Sequence, residues 1–130
     1  MDRWIQVLAT MSFVLLTFYL EVHAADVPYL SGGVGADARE ELLAKEKEYN
    51  LKIIAAERSG DYLAGVKVVI ESARKEQVLD ATMEGPILLA KLAPGTYTIR
   101  AISDGQTLTR TVAVPAHGLG QVDLRWGTTK

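Results

Sequence analysis

The run Leu92-Ala93-Pro94-Gly95-Thr96-Tyr97-Thr98-Ile99-Arg100-Ala101 constrains the fold more than any other stretch, because turn chemistry leads directly into strict alternation. Pro94 presets φ for the first corner of a β-turn and Gly95 accepts a positive φ at the second. Tyr97, Ile99 and Ala101 then share one face of a strand. A strand with one apolar face has to be covered by another layer, so the rest of the chain must supply a second sheet or helices.

From Leu51 onward the period stays at two. Leu51 to Glu57 reads as a first strand, closed by the turn Arg58-Ser59-Gly60-Asp61. In Gly65 to Ser72, Val66, Val68 and Ile70 share a face opposite Lys67 and Glu71. After the polar turn Ala73 to Glu76, Gln77 to Met83 directs Leu79 and Ala81 inward. Glu84-Gly85-Pro86 interrupts, since proline cannot donate to a ladder and suits a strand start. Ile87 to Leu92 is apolar on both faces, as in a central strand. Asp104-Gly105 is the signal of a two-residue primed turn into Gln106 to Val114. Pro115 to Gly118 forms the last loop, and Val122, Leu124 and Trp126 define a final strand. The fold class expected is all-β: a seven-stranded antiparallel Greek-key sandwich preceded by one α-helix and an N-terminal signal segment. The lone helix precedes every strand, which rules out repeated βαβ units.

Residues 1 to 24 have the order of a secretory leader. Met1-Asp2-Arg3 is a short, weakly cationic start, Trp4 to Leu20 is an apolar run, and Val22-His23-Ala24 precedes a cut at Ala24/Ala25. The competing reading is an uncleaved anchor, and contact with a membrane is expected only through the leader if it is retained. Removing 24 of the 130 residues leaves 106, with 13 Lys and Arg against 14 Asp and Glu, a net charge of −1. That balance gives no electrostatic footprint for nucleic acid. The absence of cysteine excludes disulfides and thiolate chemistry.

Residues 25 to 50 read as an arm and a helix. Asp26 to Gly35 is an extended arm ending in a bend, because three glycines in four positions disfavour either regular state. Asp37 suits a helix cap or first turn, Glu40 and Glu41 suit the positive end of the dipole, and Glu41/Lys45 is a favourably ordered pair. Ala38, Leu42, Tyr49 and Leu43 form a narrow apolar stripe, which places the helix on the domain surface, and Asn50 marks a stop.

The pattern Leu63-Ala64-Gly65-Val66-Lys67-Val68, followed by Pro94-Gly95-Thr96-Tyr97-Thr98-Ile99-Arg100-Ala101 and Asp104-Gly105, resembles the carboxypeptidase regulatory-like domains. These are small prealbumin-like (transthyretin-like) sandwiches, and the resemblance spans about Leu51 to Trp126, leaving 51–130 as the domain. Ser31 to Gly35 and the helix are also similar to small exported proteobacterial proteins. The resemblance implies an accessory module in the periplasm or outside the cell. Its matched positions, Gly65, Pro94, Gly95 and Tyr97, are structural, and it carries over no catalytic residue.

The residues agree with a non-enzymatic reading. Only His23 and His117 occur, and metal sites need three or four donors, so no metal or cofactor is expected. No serine stands in a nucleophile-elbow motif. Glu57, Asp61 and Glu84 are turn or edge carboxylates with nothing to bring them together. Gly32-Gly33-Val34-Gly35 lacks the Lys-Ser/Thr of a phosphate loop and reads as a hinge. Among the aromatics, Tyr97 and Trp126 are expected in the core, Tyr49 under the helix, and Tyr62 alone exposed. The function expected is protein–protein contact in the cell envelope, with an envelope protein as partner, by strand addition or by docking of a mobile arm bearing Tyr29 and Leu30. The alternative is a carbohydrate-binding, starch-binding-like module, which needs two exposed aromatics within sugar-ring reach.

Overall fold

The computed structural model describes residues 27–127. Its elements are β1 (Tyr29–Gly32), α1 (Ala36–Ala44), a short 3-10 turn (Glu46–Glu48), β2 (Leu51–Glu57), β3 (Lys67–Ser72), β4 (Gln77–Thr82), β5 (Ile87–Ala90), β6 (Gly95–Ser103), β7 (Gln106–Val114) and β8 (Gly120–Trp126). They form two four-stranded sheets, ordered β1-β5-β2-β8 and β4-β3-β6-β7. The leader expected over residues 1–24 lies outside the described residues.

Each sheet contributes alternate side chains to one shared core, as a sandwich requires. Leu51, Ile53, Leu88, Val122 and Leu124 come from the first sheet; Val68, Ile70, Leu79, Tyr97 and Ile99 come from the second. The alternation in Gly65–Ser72, Gln77–Met83, Thr96–Ala101 and Val122–Trp126 therefore does select the buried face. β5 is buried along its whole length. Leu88 and Ala90 point into the sandwich. Ile87 and Leu89 point the other way and form a second cluster with Leu42 of α1, flanked by Leu30 and Tyr49. A strand apolar on both faces is here a central strand between the core and a covering helix.

Several expectations are corrected. The described residues hold eight strands, because Tyr29–Gly32, expected as a mobile arm, pairs antiparallel with Ile87–Ala90 as β1. Ser31 fixes it: its hydroxyl donates to the Ile87 carbonyl at 3.3 Å and accepts the Glu84 N–H at 2.9 Å. The sheets are not wholly antiparallel either, since β2 and β8 run parallel from Leu51↔Gly120 to Glu57↔Trp126. Side-chain alternation is the same in both directions, so it carries no sign of strand polarity. Asp37 is a first-turn residue, the N-cap position is Gly35 with no side-chain cap, and α1 ends at Ala44 rather than near Asn50.

The Pro94–Gly95 stretch does not form the expected hairpin turn. Gly95 is the first residue of β6, paired with Val114, and the preceding residues carry the chain from β5 in one sheet to β6 in the other. The hairpin forms one strand later, at Asp104-Gly105, whose φ values of 47° and 75° give the primed turn. Tyr97 steadies the crossing by donating its hydroxyl to the Ala93 carbonyl at 2.7 Å. Tyr97→Phe is expected to lower stability by about 1 kcal/mol with the fold retained. An unchanged urea midpoint would show that this hydrogen bond contributes nothing.

Candidate functional site

The polar residues that drew notice in the sequence lie apart from one another in role. His117 is exposed in the loop between β7 and β8. Glu57 and Asp61 are exposed on either side of a turn closed by the Glu57 N–H on the Asp61 carbonyl at 2.8 Å. Among the described residues, no three His, Asp or Glu side chains are placed to share a metal ion. The glycine run is a bend that joins β1 to α1: Gly33 and Gly35 have φ of 97° and 90°, and the Gly33 carbonyl accepts a hydrogen bond from the Arg39 guanidinium at 3.3 Å.

Tyr97 and Trp126 are buried, Tyr49 packs under α1, and Tyr62 is 55% exposed. Its ring is covered by Arg39, whose guanidinium carbon lies 5.3 Å from the ring centre, a cation–π contact. A depression of about 240 Å³ runs past it, lined by Val34, Arg39, Tyr62, Leu63 and Pro86 among others, with no second aromatic. Against expectation, Tyr29 is exposed as well among the described residues; it stands at the start of β1, whereas that depression reaches only Gly33, just past the strand's other end.

The feature that stands out is a sheet edge. The four edges are β1, β8, β4 and β7. Soluble sandwiches shorten, interrupt or charge such edges, because unpaired N–H and C=O groups invite another strand. β1 has four residues. β4 carries a register shift against Ile70/Glu71, and its Val78 carbonyl already accepts the Val27 N–H at 3.3 Å. β8 exposes Gln121, Asp123 and Arg125 in alternation. β7 is neither short nor interrupted and carries one arginine, with only its ends covered by β8, at Gln106 and Ala113. It is nine residues long, without proline or glycine, in the sequence Gln-Thr-Leu-Thr-Arg-Thr-Val-Ala-Val.

The hairpin fixes which backbone groups of β7 point away from β6. Ser103↔Gln106 closes the two-residue turn, so Gln106, Leu108, Arg110 and Val112 direct their backbone groups at β6. Thr107, Thr109 and Thr111 direct theirs outward. The Thr109 carbonyl, which accepts a hydrogen bond from the Arg110 side chain at 3.0 Å, and the Ala113 carbonyl, which abuts Gly120, agree with this parity; at the turn the Gln106 carbonyl departs from it by accepting the Trp126 indole N–H of β8 at 3.0 Å. Thr107, Thr109 and Thr111 are exposed, while Leu108 and Val112 on the inner face are only half-buried.

The sequence places this strand but does not show it to be an edge. The available signal is the outward threonine series combined with an arginine on the inner face, a charge that a central strand would not bury. No family model matches the chain, and no curated protein matches it.

Proposed function

We propose that the chain is a non-enzymatic domain exported to the cell envelope, periplasmic or secreted, and that it acts through protein–protein contacts by accepting an extended segment of a partner as an added strand on β7. In this reading Leu51 to Trp126 is a prealbumin-like Greek-key core of the carboxypeptidase regulatory-like kind, with β1 and α1 as additions to one sheet. The leader order of residues 1 to 24 supports export. The observation that carries the function is the nine-residue β7, whose only ladder partner among the described strands is β6 and whose stretch Thr107–Thr111 lies between the two points where β8 touches it, at Gln106 and Ala113. Main-chain hydrogen bonds to such an edge supply affinity, and alternate side chains supply specificity. Arm docking drops out, because Tyr29 and Leu30 belong to β1.

The test expresses residues 1–130 in a Gram-negative cell with a photo-crosslinking amino acid at Thr109 or, as control, at Asp80 in β4. Processed chain in the periplasmic fraction and crosslinks to envelope protein from Thr109 alone are expected. Unprocessed chain in the cytoplasm, or equal crosslinking from both strands, would overturn the proposal.

A further inference from the structure

We infer that the β7 edge selects a segment carrying a carboxylate opposite Arg110, and that the same arginine keeps two copies of this chain from pairing through β7; the inference rests on reading β7 as a strand-accepting edge. Arg110 is the one charged residue between Gln106 and Val114. It is exposed, lies between the half-buried Leu108 and Val112 on the inner side of the strand, and faces Ile99 across the ladder. Among the described residues the ion pairs are Lys52 with Glu46 and Arg100 with Glu71, so Arg110 has no carboxylate partner there. Its guanidinium instead donates to the Thr109 carbonyl, which is one of the outward acceptors of its own edge.

An incoming antiparallel strand would exchange hydrogen bonds with Thr107, Thr109 and Thr111. The residues it sets opposite Leu108, Arg110 and Val112 then fall in the non-hydrogen-bonded pairs, where side chains approach most closely. A glutamate or aspartate opposite Arg110 takes over the guanidinium and leaves the Thr109 carbonyl free for the incoming N–H. Apolar residues two places to either side extend the cover over Leu108 and Val112. The occupant is therefore an extended segment with a central acid flanked by apolar residues at alternate positions.

Self-pairing meets the opposite situation. A two-fold axis on Arg110 sets the two guanidinium groups directly opposite each other. An axis on Thr109 sets each Arg110 against Leu108 of the other copy, and an axis on Thr111 sets it against Val112. In both, the arginines become diagonal neighbours on one face. Like charges so placed oppose pairing, and β7 contains no acid to relieve them.

Two alternating threonine–valine peptides, one with a central glutamate and one with a central lysine, would be titrated into the isotope-labelled protein while the amide signals of Thr107, Thr109 and Thr111 are followed. The glutamate peptide is expected to bind about fivefold or more tightly, and Arg110→Glu to reverse the preference. In sedimentation the parent is expected to be monomeric and Arg110→Thr to self-associate. Equal affinities at those amides would leave the strand-accepting edge standing and overturn the charge selection. If neither peptide moved those amides, both readings would fall. A parent chain already paired through β7 would overturn the exclusion of self-pairing.

Discussion

Alanine at position 85 is expected to destabilise the domain by about 3 kcal/mol, near the upper end for overpacking, and to lower the melting temperature by roughly 10–20 °C. Gly85 is buried, and a Cβ built on it would overlap the Gly32 carbonyl oxygen and lie 2.5 Å from its carbonyl carbon. Both obstacles are main-chain atoms at the end of β1, so no side-chain rotation relieves them. Either the Glu84–Pro86 loop or β1 must shift. Such a shift strains the Ser31 hydroxyl bonds to Glu84 and Ile87 and the pairing of Gly32 with Ile87. It also disturbs the seat of α1, whose Leu42 packs on Ile87 and Leu89. Hydrogen exchange should then show lost protection in β1 and α1 while β3 and β6 stay protected. Gly60→Ala is the control, since nothing lies within 4 Å of a Cβ there and its cost is limited to backbone strain at a φ of 102°, about 1–2 kcal/mol. A Gly85→Ala protein no less stable than the Gly60→Ala protein would show that β1 does not lie against Gly85.

How much of this fold is legible in the sequence depends on the range of the interaction. Val66, Val68 and Ile70 share a buried face because alternation along one strand is a local property, and the same holds for Val122, Leu124 and Trp126. Asp104-Gly105 was legible because the turn needs two residues that accept positive φ. By contrast, Tyr29–Gly32 has no alternating pattern and becomes a strand only through partners at Glu84 and Ile87. The local grammar of Pro94–Gly95 is that of a turn, yet the chain there changes sheets, which only the positions of β5 and β6 determine. The candidate edge was half legible: Leu108, Val112 and the intervening threonines identify a strand, but its outermost place in the sheet depends on which strands pair elsewhere. The local signal at Gly85 is that of a strand break; its close neighbour at Gly32 is remote in sequence and invisible to any local rule.

Asn50→Ala is the second change expected to have a large effect, again about 3 kcal/mol, because it leaves a donor and an acceptor unpaired in the interior. Asn50 behaves like a strand residue supplied by a side chain. Its amide nitrogen donates to the Leu92 carbonyl at 2.7 Å, and its amide oxygen accepts the Leu92 N–H at 2.9 Å. Its own N–H donates to Ala90 and its carbonyl accepts from Gly120, tying β5, β2 and β8 together at one end. The β5 ladder stops at Ala90, so Leu92, which is 4% exposed as the chain leaves for the other sheet, has no strand to bond. Asn50→Asp separates the two halves of the contact. A carboxylate still accepts the Leu92 N–H but opposes the Leu92 carbonyl, whereas the protonated acid donates to it. The carboxyl pKa in the folded Asp variant is thus raised, so the stability gained from protonation is complete below the unfolded value near ~4 and is lost as pH rises through the folded one. Chemical denaturation across that range should show the Asp variant gaining on the Ala variant as pH falls. A constant difference between them would mean that the donation to the Leu92 carbonyl does not stabilise the crossing.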